Sequence, residues 1–204
     1  MVDPKVFEGY SEKTQQIIKT TPTDRGIEMY ADMLGFPNID SLISEFPKGC
    51  RVLDIGAGKE TLKKELAVKR PDLTVFSINP SLAHESFREA NKTANAIIAI
   101  NPELPVESGS FDVVIDSMGS VYYSQQEKEY TTTQAHLFEI TRVLKNGGKA
   151  YIGPTFINPN TDFEGKGRVG MLLDKIRGVK WSQKEFNPPG GNTKWRSYQI
   201  EKAL

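Results

Sequence analysis

The chain has 204 residues, room for one domain with a substantial core, and its 38% hydrophobic and 25% charged residues suit a globular protein. Lys/Arg and Asp/Glu balance at 26 each, and residues 159–204 hold only nine basic against five acidic residues, too mild an excess to predict a nucleic-acid face and more consistent with a small-molecule or protein substrate. No run approaches the roughly 18 apolar residues of a membrane span, the single Cys50 excludes an internal disulfide or a cysteine-rich metal site, and the first residues show no apolar core or small-residue cleavage site, so no secretory signal is expected and the cytoplasm is favoured.

Residues 1–48 read as a helical lead-in or lid. Ile27, Tyr30, Ala31 and Leu34 share one face of a predicted helix that Thr23 or Asp24 can cap and Gly35-Phe36-Pro37 ends. Asp40 to Phe46 adds a further turn or two. Tyr10 and Tyr30 are either pocket residues or packing aromatics.

Residues 49–66, GCRVLDIGAGKETLKKEL, combine a short apolar strand (51–55), a glycine turn and a helix beginning at Thr61. Glycines in such a turn let the backbone fold tightly and let a ligand lie against the peptide groups. Two spacings compete. A dinucleotide fingerprint needs a third glycine at 61, where Thr61 stands. An acid-x-Gly-x-Gly-x-Gly pattern needs it at 60, where Glu60 stands, but this second pattern alone accounts for Asp54. The phrase VLDIGAGKE resembles that signature of the class I S-adenosylmethionine-dependent methyltransferases.

A second strand, 73–78, ends at Asn79, where nucleoside-binding folds usually carry an acid that takes both ribose hydroxyls. An amide there brings no charge, so Asn79→Asp is expected to strengthen cofactor binding. Ser81 can cap a helix to about Ala94, which carries His84 on a solvent-facing or locally bonded site. Residues 96–100, AIIAI, read as a third buried strand.

INPELPVESGSFDVVIDSMGSVYY resembles the methyltransferase segment that runs from an acid-bearing loop through Leu-Pro and a Gly-Ser turn into Phe-Asp-Val-Val. Strand four is then 111–115, and Asp116, Ser117 and Met118 emerge at the sheet edge where open α/β folds bind ligands. Asp116 is either a substrate-contacting acid or base or the cap of the next turn. No Asn-Pro-Pro-Tyr or Asp-Pro-Pro-Tyr follows this strand, unlike enzymes that methylate nucleic-acid bases on exocyclic amino groups. A helix over 125–144, with Leu137, Ile140 and Leu144 as its apolar stripe, is expected to stop at Asn146-Gly147-Gly148 through a left-handed position; His136 on it reads as structural. ITRVLKNGGKAYIG resembles the same family's late signature and leads into strand five, 149–153. Phe156 emerges from it, and Phe163 lies in the polar segment that follows. After a helix carrying Val169, Leu172, Leu173 and Ile176, alternating runs over 179–186 and 195–202 around a Pro/Gly loop predict an antiparallel hairpin.

The resemblance covers residues 49–204 and implies an α/β fold, an open doubly wound seven-stranded sheet, mostly parallel, with an antiparallel C-terminal hairpin strand. It implies S-adenosylmethionine as cofactor, held by Asp54, Gly56, Gly58, Asn79, Leu82 and Asn101. Asp116 is the implied catalytic residue, Tyr122, Tyr123 and Phe156 wall the acceptor site, and no metal is needed. The expected function is methyl transfer to a small-molecule acceptor. The alternative is a catalytically inactive methyltransferase-like scaffold with a protein partner, motivated by Glu60, Asn79 and the Ile100-Asn101 pair.

Overall fold

A computed structural model describes residues 10–20, 25–80, 94–126, 130–157, 165–188, 191 and 193–204. Seven strands form one sheet: β1 (Arg51–Ile55), β2 (Thr74–Ile78), β3 (Ala96–Ile97), β4 (Phe111–Ser117), β5 (Leu144–Phe156), β6 (Val179–Phe186) and β7 (Trp195–Lys202). Their order is β3-β2-β1-β4-β5-β7-β6. The first five are parallel, whereas β7 runs antiparallel to β5 and β6 antiparallel to β7. This is the open, mostly parallel sheet with an antiparallel terminal hairpin that the sequence predicts. Both hairpin strands have the expected bounds.

Helices cover both faces, and the strand pleat divides the core accordingly. On one face Leu53, Ile55, Val114, Ala150 and Ile152 pack under helices α5 (Ser120–Gln126), α6 (Tyr130–Val143) and α7 (Gly167–Leu173). On the other, Val52, Val75, Val113, Ile115 and Tyr151 pack with α2 (Ile27–Leu34), α3 (Ile39–Ser44) and α4 (Thr61–Lys69). The lead-in, which opens with α1 (Glu12–Thr20), therefore shares a core with the sheet: Tyr30, Ala31 and Leu34 of α2 are buried there. The observed N-cap of α2 is Gly26, with no side-chain cap; Thr23 and Asp24 lie outside the described residues. Gly35 ends it at φ 75°, as expected.

Three boundaries differ from the sequence reading. Strand three stops at Ile97, and Ile100 leaves the sheet to pack against Tyr10. The helical stretch predicted over 125–144 starts earlier, at Ser120, and ends at Val143, with residues 127–129 outside the described ones. Asn146-Gly147-Gly148 does not cap α6. The last carbonyls of that helix, Arg142 O and Val143 O, accept instead from Gly109 N and Ser110 N, both at 2.9 Å. The chain can then enter β5 directly: Leu144 pairs with Phe111, Lys149 with Val113, and Gly147 at φ 75° lies in the irregularity between them. The helix expected over 81–94, with His84, falls outside the described residues but for Ala94, and so does Phe163.

Candidate functional site

Strand order reverses at β1: β2 lies on one side and β4 on the other, so the chain leaves their C-terminal ends in opposite directions. The crevice at such a switch point is where open α/β sheets bind ligands. Here it is closed by two glycines. A Cβ on Gly56, which has φ 76°, would stand 3.0 Å from Gly119 Cα, and one on Gly119 would stand 2.6 Å from both Ile55 O and Asp116 Oδ1. Side chains at either position would force the two loops apart.

Asp54 and Asp116 flank this crevice from opposite faces of the sheet. Ile55 pairs with Asp116, and Asp54 with Ile115, so the alternation of the pleat sends the two carboxylates to different sides. Both are buried, at 0% and 1% exposure. Asp54 Oδ2 accepts from Tyr30 Oη at 2.9 Å, while Oδ1 has no hydrogen-bond partner among the described residues. Burial pushes its pKa up to about 7, against the pull of Arg25 and Tyr30 and with the push of Asp116 and Glu60. Asp116 Oδ2 accepts from Ser120 Oγ at 2.5 Å and from Val121 N at 3.4 Å, which starts helix α5; among the described residues its Oδ1 has no partner. Burial raises this carboxyl to about 6, opposed by Ser120, Val121, Gly119 and Arg25. The capping reading of Asp116 thus describes one oxygen and leaves the other unengaged.

The charge between these acids comes from a residue that sequence reading missed. Arg25 is buried, donates from Nη2 to Gly56 O at 2.6 Å, and stands 5.7 Å from the ring centroid of Tyr30. It acts on the titration of Asp54, Asp116, Tyr30 and Tyr123. A lone arginine before a helix gives no local signal. Only the packing of α2 on the sheet brings it over the edge.

The glycine turn is held from within. Gly58 has φ 54°, and Asn79 Nδ2 donates to Gly58 O at 2.6 Å. Asn79 therefore lies beside the turn, with its nitrogen committed to the backbone. Glu60 adopts φ 60°, the left-handed conformation that a glycine would take freely. Its side chain is fully buried and pairs with Lys63 Nζ at 3.0 Å. The substitution at the third motif position thus keeps the backbone shape of the glycine pattern.

Asn101 is buried, and its Nδ2 donates to Ser120 Oγ at 2.8 Å and to His136 O at 3.3 Å, with Oδ1 left without a partner among the described residues. Ile100 packs with Tyr10, Ile18 and Tyr123. The histidine on α6 is structural: His136 is buried, Tyr10 Oη lies 3.1 Å from its Nε2, and burial lowers its pKa to about 3. The three aromatic residues assigned to the acceptor wall come together. Ring centroids are 5.2 Å apart for Tyr122 and Phe156 and 5.5 Å for Tyr122 and Tyr123, and Phe156 is 43% exposed. Leu82 lies outside the described residues. Among the described residues no group of His, Cys, Asp and Glu could hold a metal ion, and no helix is long and apolar enough to cross a membrane.

Residues 53–152 match the family described as a methyltransferase domain. No curated protein sequence matches the chain significantly. Solved structures of similar fold include an S-adenosylmethionine-dependent methyltransferase from Methanosarcina mazei, 20% identical over 80% of this chain and 97% of that one, with a TM-score of 0.56. A 1,6-didemethyltoxoflavin-N1-methyltransferase from Burkholderia thailandensis, with 1,6-didemethyltoxoflavin and S-adenosylhomocysteine bound, is 15% identical over 80% and 75%, at a TM-score of 0.56. Phosphoethanolamine N-methyltransferase 2 from Haemonchus contortus, in complex with S-adenosylmethionine, is 16% identical over 96% and 61%, at 0.58. Residues 53–152 thus carry a methyltransferase domain on the fold of S-adenosylmethionine-dependent methyltransferases, and S-adenosylmethionine is the cofactor that this domain implies.

Proposed function

We propose that this methyltransferase domain acts on a small-molecule acceptor, bound over the crevice between β1 and β4. The observation that carries this reading is the set of buried, unengaged acceptors around the crevice: Asp54 Oδ1, Asp116 Oδ1 and Asn101 Oδ1. Buried polar atoms without partners are costly, and ligand donors supply what the chain itself does not. The cofactor fits this set, since its methionine part carries cationic groups and its adenine an amino group. When bound, it supplies a methyl group already activated by a sulfonium, so the protein's task is alignment and, for some acceptors, proton removal.

The residues divide the work by position. Gly56 and Gly58 leave the turn bare of side chains, and Asn79 holds that turn through Gly58 O rather than by taking both ribose hydroxyls. Asp54 and Arg25 set the charge at the methionine end, and Asn101 Oδ1 faces the adenine edge. Asp116 Oδ1 orients an N–H or O–H of the acceptor and takes its proton where the chemistry requires it. Tyr122, Tyr123 and Phe156 form an aromatic wall suited to a flat or cationic molecule. Two proteins of similar fold are N-methyltransferases by name, one for 1,6-didemethyltoxoflavin and one for phosphoethanolamine, and both are small acceptors.

Calorimetric titration with S-adenosylmethionine and with S-adenosylhomocysteine tests the reading, with binding of both expected. Absence of heat at millimolar ligand would overturn it and favour a non-catalytic scaffold that engages a protein partner.

A further inference from the structure

We infer that Asn101 and Ser120 form a polarised hydrogen-bond relay that positions Asp116, fixing its Oδ2 and leaving Oδ1 as the corner presented to the acceptor. The role of Asp116 rests on the function proposed above; the relay itself does not.

The direction of the relay follows from one group that can only accept. His136 O is a backbone carbonyl, so the Asn101 amide atom 3.3 Å from it is the nitrogen. The same nitrogen lies 2.8 Å from Ser120 Oγ, and its second hydrogen points there. Ser120 Oγ accepts from Asn101 and must therefore turn its own hydrogen to Asp116 Oδ2, at 2.5 Å. The order is Asn101 N–H to Ser120 O–H to the Asp116 carboxylate. All three side chains are buried. In such surroundings each bond polarises the next, and the negative charge at the end of the chain gains most.

Three elements meet in the relay: the loop after β3, the first turn of α5 and the end of β4. Among the described residues, Arg25 from the lead-in lowers the pKa of Asp116, and Asp116 in turn raises that of Asp54 across the crevice. His136, from α6, stays neutral because burial depresses its pKa to about 3. Both the Ser120 hydroxyl and Arg25 favour the ionised acid, and among the described residues Ser120 is the side chain that donates to it directly.

The test is a carboxyl-carbon NMR titration of Asp116 in the full chain without ligand, with the resonance assigned by its loss in Asp116→Asn. Ser120→Ala is expected to raise the titration midpoint by about one pH unit, a tenfold change in ionisation. Ser120→Thr keeps a hydroxyl and is expected to restore the parent midpoint. Asn101→Ala raises the midpoint in the parent and adds nothing in Ser120→Ala, because its effect passes through the hydroxyl. If Ser120→Ala does not fold, Ser120→Cys, a weaker donor, carries the test with a smaller rise. An unchanged midpoint in the folded Ser120 variant overturns the relay, and so does an Asn101→Ala shift that is the same with and without Ser120. Because no methyl donor is present, failure here leaves the proposed function standing. A null calorimetric titration leaves the relay standing.

Discussion

Tyr30 of helix α2 donates its phenolic hydrogen to Asp54 Oδ2 at 2.9 Å, tying the lead-in to the acid of the glycine turn. Both groups are buried, and burial together with the nearby Asp54 charge raises the phenol pKa well above its usual range. The bond is thus donated by a neutral phenol at all ordinary pH. Tyr30→Phe keeps the ring but strips Asp54 of its phenolic donor. A loss of about 1–3 kcal/mol is expected at pH 8. It should be smaller at pH 5, where the buried acid is protonated. Denaturant unfolding at the two pH values checks this, and an equal loss at both would show that the bond does not favour the ionised form.

The raised pKa of Asp54 has a definite sign in stability. The folded chain holds this proton up to about pH 7, whereas the ordinary carboxyl releases it near 3.8. Between these values the folded state binds more protons than the unfolded state, so stability falls as pH rises. Asp54→Asn removes that dependence. The variant is expected to gain on the parent by about 1.4 kcal/mol per pH unit between pH 4 and 7. His136, held neutral by burial down to about pH 3, gives the opposite slope below its usual 6.5. It is present in both chains and cancels in the difference, which unfolding midpoints at several pH values measure directly.

The position of Asn79 reverses an expectation drawn from its residue type. A carboxylate at 79 would lose the donor that now holds Gly58 O at 2.6 Å and would set a negative charge against that carbonyl. Asn79→Asp is therefore expected to cost about 2 kcal/mol of stability and to weaken cofactor binding rather than strengthen it. Thermal unfolding and titration with S-adenosylhomocysteine decide it. Tighter binding with unchanged stability would restore the ribose assignment.

Glu60 holds a left-handed backbone and a buried charge beside the same turn. Glu60→Gly removes backbone strain of about 1 kcal/mol, but it gives up the 3.0 Å pair with Lys63. Its electrostatic effect is clearer than its net stability. Glu60 raises the pKa of Asp54, so the variant should shift the Asp54 titration to lower pH. An Asp54 carboxyl-carbon titration that stays in place would mean that the two acids do not sense one another.

The sequence by itself determined the frame: an apolar strand into a glycine turn at 51–58, the later strands in order, and a hairpin at 179–202. These are legible because hydrophobic period, glycine and proline act on the few residues around them. The aromatic trio was legible too, because a strand end and the residues after it are known to meet at one edge. Only the tertiary structure decided how the site is wired. Arg25 reaches Gly56 across 31 residues, Tyr30 reaches Asp54 across 24, and Asn101 reaches Ser120 across 19. The same side chains could have served a ligand or the fold, and nothing local separates the two uses. Packing of the helices on the two faces engaged the Asn79 nitrogen, one oxygen of each acid and the Asn101 nitrogen, because a buried donor takes the nearest acceptor that the fold sets before it; among the described residues it left the other oxygen of each acid and the amide oxygen of Asn101 without a partner.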